Sequence, residues 1–96
     1  MPIAVDWAIS MLFYSAVHYV GAYFAKHGLT YRMHQTRDNA VARDPNLSNV
    51  YGEYRELEHF SRQARYERPS GHFRHGDIEY LLGCLDKVKG VILPLL

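Results

Sequence analysis

From Trp7 to Ala25 the chain runs for nineteen residues without a formal charge. Within that run Ile9, Leu12, Phe13, Ala16, Val17, Val20 and Phe24 recur at steps of three and four, the spacing that places side chains on one face of an α-helix. Asp6 is placed to cap this helix and Gly28 to stop it, so the spacing predicts a helix over 5–26. Its length approaches what a bilayer requires. It also carries Ser10, Ser15, His18, Gly21 and three tyrosines, and an imidazole at mid-span is costly in lipid. The segment therefore reads as the central helix of a small bundle, apolar on most sides because neighbours cover it. A signal peptide is not expected, since Met1 to Asp6 has no basic residue and Ala22-Tyr23-Phe24-Ala25 is a poor cleavage site.

A helix of that kind needs partners. Three more segments have helical spacing. His34 to Arg43 forms a short second helix ended by Asp44-Pro45. The same pair opens a third, with Asp44 as N-cap and Pro45 in the first helical position, where the missing N–H costs nothing. Leu47, Val50, Tyr51, Tyr54, Leu57 and Ala64 share its inner face, and it should end near Tyr66, ahead of Pro69 and Gly71. In the last helix Ile78, Leu81, Leu82, Leu85, Val88 and Ile92 form one stripe. Asp77 and Glu79 complement the positive end of its dipole, Lys87 and Lys89 the negative end, and Pro94 stops it. No run alternates with period two over a useful length, so no sheet is expected. At 96 residues the chain makes one domain with one core, and the expected architecture is an all-α, up-and-down four-helix bundle over 1–96.

Eleven Lys and Arg against ten Asp and Glu leave a net charge of +1, so the molecule as a whole makes no electrostatic argument for nucleic acid. The local argument is better. Residues 62–75 read RQARYERPSGHFRH, where Arg62, Arg65, Arg68 and Arg74 are opposed only by Glu67 and accompanied by His72 and His75. Guanidinium groups grip phosphate through a planar fork of donors, and imidazole titrates near neutral pH. Together they suit metal-free cleavage of RNA: an imidazole moves a proton on the ribose 2′-OH or the leaving oxygen, and an arginine neutralises the charged phosphorane. Arg65 precedes His72 by six intervening residues, and Arg68 precedes His75 by the same interval. Solvated loop residues flanking a turn are the competing account.

The other histidines read as structural first: His18 half-buried on the first helix, His34 at the start of the second, His59 on an exposed face. His18, His34, His59, His72 and His75 include no pair at the i, i+4 spacing of a helical metal site, so neither metal nor other cofactor is expected. One cysteine, Cys84, excludes an intrachain disulfide and fits a reducing compartment, with the cytoplasm as the default. Tyr31 and Tyr66, beside basic residues, could stack a base; the other tyrosines read as core. No glycine-rich phosphate loop, Ser-His-Asp order or paired-carboxylate pattern appears.

The run FYSAVHYVGAYFAKHGL, Phe13 to Leu29, resembles the first helix of HEPN-family domains. His34 opening the second helix and ELEHFSRQARY, Glu56 to Tyr66, resemble later parts of the same pattern. The resemblance implies a bundle of four or five helices, commonly a homodimer, whose active members are metal-independent endoribonucleases with an arginine followed after four to six residues by histidine. That carries catalysis to Arg65 and His72, with Arg62, Arg68, Arg74, His75 and Tyr66 as RNA-binding neighbours. The sequence departs from the pattern in Tyr66 after the arginine and in the Pro69-Ser70-Gly71 turn inside the interval. Many family members instead bind RNA or a partner protein, often a nucleotidyltransferase in a toxin–antitoxin pair. An apolar first helix that short neighbours cannot cover favours a second subunit. No membrane partner is expected.

Overall fold

In the computed structural model the backbone is described for residues 2–67 and 73–96, and the side chains for 5–65 and 73–96. These residues fold into four helices: α1 (Pro2–Lys26), α2 (His34–Arg43), α3 (Tyr51–Arg62) and α4 (His75–Ile92). No strand occurs among the described residues. The Cα radius of gyration is 13.4 Å, that of a single packed domain of this length.

Helix α1 ends where Gly28 predicts. Gly28 takes φ of 77°; its N–H bonds the Ala25 carbonyl and the Leu29 N–H bonds that of Phe24. That pair of bonds is the Schellman closure, which glycine reaches without the Cβ penalty. The start differs from expectation. Asp6 lies inside the helix, not at its cap, and its Oδ1 is buried without a hydrogen bond.

Asp44 organises the turn after α2. Its Oδ1 accepts from the backbone N–H of Asn46 at 2.8 Å and of Leu47 at 3.0 Å, and both carboxylate oxygens accept from the buried Tyr23 hydroxyl. With the carboxylate holding those two amides, the first turn winds tightly as a 3₁₀ segment, Leu47–Val50, and α3 proper starts at Tyr51. At its far end α3 passes at Arg62 into a π-helical turn, Gln63–Glu67. The sequence expectation of one α-helix from Pro45 to about Tyr66 holds at its far end, but helical winding begins at Leu47, with Pro45 in the preceding turn, and is 3₁₀ at the start and π at the end. For α4, the Asp77 carboxylate accepts from the Arg74 N–H at 2.9 Å. That closes the N-terminus and starts the helix at His75.

The core is one cluster. Ile9, Phe13, Ala16 and Val20 of α1, Tyr54 and Leu57 of α3, and Leu81, Val88 and Ile92 of α4 are almost wholly shielded. α1 packs most extensively on α4, then on α3, whereas α2 touches mainly α3 and the turn before it. Two expectations need correction. Leu82, assigned to the buried stripe of α4, is exposed, and Cys84 takes a buried place instead. Nor is α1 covered on most sides, because Trp7 (64% exposed), Met11 (54%) and Tyr14 form an open stripe at helical spacing. Val5–Lys26 is long and apolar enough to cross a membrane, with 39% of that span's best window buried. A core helix of a soluble protein has the same property.

Candidate functional site at the α2–α3 seam

The seam between α2 and α3 is charged where the rest of the core is apolar. Asp38 of α2 and Glu58 of α3 are both buried. Arg55, one turn before Glu58, bridges them, with its Nη1 2.8 Å from Asp38 Oδ2 and 2.8 Å from Glu58 Oε1. His34, on the first turn of α2, has Nδ1 3.7 Å from Glu58 Oε2, and its own side chain is 54% exposed. Arg37 Nη1 lies 3.2 Å from the same Nδ1. Phe13 of α1 stacks against the His34 ring at 6.0 Å between centroids.

This arrangement fixes chemistry. A guanidinium can only donate, so Nδ1 accepts from Arg37 and the His34 ring carries its proton on Nε2. Glu58 is pushed from the ordinary carboxylate value of 4.5 up to about 7. Burial is the largest cause and Asp38 the next, and together they outweigh the pull of Arg55 and Arg62. Below pH 7 the Glu58 carboxyl is thus mostly protonated beside the Arg55 guanidinium. Tyr54 is fully buried beneath them and its hydroxyl makes no hydrogen bond of regular geometry. Desolvation and Asp38 push its pKa up, while nearby Arg37 pulls it back. Asp38 Oδ1, Glu58 Oε2 and Ser61 Oγ are likewise buried without a hydrogen bond.

The seam continues along α3 toward the basic run. Ser61 is one turn beyond Glu58 and Arg65 one turn beyond Ser61. Arg65 Nε donates to the Ser61 carbonyl at 3.4 Å. Its Nη1 donates to the Tyr14 hydroxyl, and its guanidinium carbon lies 5.3 Å from the Tyr14 ring centroid. Arg62 is exposed and close enough to Glu58 to lower its pKa. On the other side of Arg37 a groove of about 410 Å³ opens between the second half of α1 and the following loop, lined by Val17, His18, Phe24, Leu29, Tyr31 and Arg37. That volume is within the range of small-ligand sites.

Of the residues chosen from sequence, Arg62 and Arg65 belong to this neighbourhood. Arg74 and His75 stand exposed at the start of α4, where the Arg74 backbone serves as its cap. His72, Arg68 and the side chain of Tyr66 lie outside the described residues. His18 is exposed, not half-buried, while His59 is exposed as expected. Tyr31 packs edge-on against Phe24 at 4.9 Å. The paired carboxylates went unseen because Asp38 and Glu58 are far apart in sequence and sit on different helices. One signal was available: Glu58 follows Tyr54 by four residues and precedes Ser61 by three, which places a charge at a core-spaced position. Among the described residues, no three His, Cys, Asp or Glu side chains are grouped so that they could hold a metal ion. Comparison with family models, with curated proteins and with solved structures finds no match for this chain.

Proposed function

We propose that this chain is a HEPN-like helical domain of the up-and-down four-helix type that acts on RNA in the cytoplasm as a metal-independent endoribonuclease. The observation that carries the reading is the concentration of cations on one surface of a nearly neutral protein. Arg37, Arg55, Arg62 and Arg65, with the imidazole of His34 beside them, gather at the α1–α2–α3 junction around the buried Glu58 carboxyl, which changes charge near pH 7. Arginine forks suit a phosphodiester, and an imidazole beside them suits its proton traffic. In the sequence pattern Arg65 and His72 are the proposed catalytic pair, with Arg62, Arg68, Arg74, His75 and Tyr66 along the RNA.

Single-stranded RNA incubated with the purified chain in excess EDTA is the test. Cleavage that survives the chelator supports the reading, and Arg65→Ala should then lower kcat about 100-fold or more by removing charge stabilisation. No cleavage of any RNA of varied sequence would sink it.

One observation favours a second reading, a partner-binding module. Trp7, Met11 and Tyr14 make an uncovered apolar stripe on α1, of the kind that marks a protein interface. A second copy of the chain is the first occupant to test, and a co-encoded nucleotidyltransferase or antitoxin the next. Light scattering at tens of micromolar separates them: a homodimer that Trp7→Glu dissolves supports self-association, and a monomer directs the stripe to a different protein.

A further inference from the structure

Building on the RNA reading, we infer that His34, Arg37 and Glu58 form a phosphate site in which Arg37 and Arg55 hold one phosphodiester, His34 moves the proton, and Glu58 positions the imidazole. Two side chains compete for one atom of His34. Arg37 at 3.2 Å and Glu58 at 3.7 Å both address His34 Nδ1. Arg37 requires that nitrogen to accept, whereas Glu58 requires it to donate. While Arg37 holds Nδ1, Nε2 bears hydrogen and cannot act as a base.

A phosphate dianion or diester is a better partner for a guanidinium than a neutral imidazole is. Its arrival draws Arg37 off Nδ1. The exposed ring then gives its Nε2 proton to water and takes one from water at Nδ1, and the Nδ1–H turns to the Glu58 carboxylate, leaving the Nε2 lone pair toward solvent. The buried oxygen Glu58 Oε2, 3.7 Å from Nδ1 in the free protein, gains a donor in this state. Tyr54 is buried beneath the carboxylates, and its hydroxyl interacts with Arg37, so the same arginine reaches from the polar interior to the His34 ring.

The step balances without an added reagent. Nε2 takes the proton from the ribose 2′-OH, the O2′–P bond forms, the P–O5′ bond breaks, and the imidazolium returns the proton to O5′. The products are a 2′,3′-cyclic phosphate and a free 5′-hydroxyl. The groove of about 410 Å³ beyond Arg37 receives the adjoining nucleoside, its base against Phe24, Leu29 and Tyr31. Gly21 lines that groove, and a Cβ there would meet nothing within 4 Å. A side chain at Gly21 therefore starts without a clash, and Gly21→Phe is the substitution chosen to crowd the groove.

Two measurements decide the matter. In NMR titration of the intact chain with adenosine 3′-monophosphate, the His34 ring and Arg37 Nε–H resonances should move together. Gly21→Phe should weaken that binding about tenfold. Absence of movement at His34 and Arg37 at millimolar nucleotide overturns the site whether or not the protein cleaves RNA. In single-turnover cleavage with EDTA, His34→Ala should lose about 100-fold or more in rate with RNA affinity within threefold. Glu58→Gln should lose less and flatten the pH–rate profile around pH 7, which a merely structural role would leave in place. A wild-type rate in His34→Ala overturns the assignment and leaves catalysis to His72. A protein that binds the nucleotide at His34 but cuts no RNA keeps the phosphate site and removes the nuclease reading.

Discussion

The α1–α4 seam and the α2–α3 seam are built by opposite rules. Along the first, Ile9, Phe13, Ala16 and Val20 share an apolar core with Leu81, Val88 and Ile92. Along the second, α2 contributes little more than Val41 to the core and buries Asp38 against Arg55 and Glu58. Apolar burial stabilises by roughly 25 cal/mol per Å² removed from water. A buried ion pair often yields less than a hydrophobic replacement of the same volume, because desolvating two charges costs more than their attraction returns. The first seam therefore stabilises the fold, and the second holds groups in place at some expense to stability. Such an expense is what functional sites commonly carry.

The comparison breaks most readily in the apolar seam. Leu81→Ala removes a side chain with no exposed surface and should lower the unfolding free energy by roughly 3 to 5 kcal/mol. Urea titration should return that loss at pH 5.5 and pH 8 alike. A loss below about 1 kcal/mol would mean that this seam collapses around cavities and is not the rigid half.

Arg55→Met should cost less, about 2 to 3 kcal/mol at pH 8, because it strips the shared cation from two buried carboxylates while its own side chain is half exposed. At pH 5.5 the cost should shrink, since Glu58 is then already protonated. Equal costs at the two pH values would show that Glu58 does not change charge between them.

Glu58→Gln sharpens the contrast with the opposite sign. A carboxyl whose folded pKa is raised from 4.5 to about 7 contributes stability that is fully present below 4.5 and is lost as pH rises through 7. Wild type should thus weaken between pH 5.5 and pH 8 by up to about 2 kcal/mol. The variant, which keeps an acceptor for Arg55, should lose that dependence and unfold at higher urea than wild type at pH 8. A variant less stable than wild type at pH 8 would mean that the charged pair is a net stabiliser.

The sequence by itself determined the helices. A 3.6-residue period in α1, α3 and α4, Gly28 at the end of α1, Asp44-Pro45 between α2 and α3, and Pro94 after α4 are local facts, decided by backbone sterics and by which amides a nearby side chain can reach. Local chemistry also located Arg62 and Arg65 as cations near a helix end. It did not reveal the tie from the Tyr23 hydroxyl to the Asp44 carboxylate, because Tyr23 belongs to a different helix. Only tertiary structure decided which charges meet. Asp38, Arg55, Glu58 and His34 each read as ordinary helix residues until α2 is laid on α3. Packing then removes water from Asp38 and Glu58, Asp38 and burial lift Glu58 toward neutrality, and the imidazole is left between an arginine and an acid. Electrostatic character of that kind depends on distance and dielectric, and neither is written in the order of the residues.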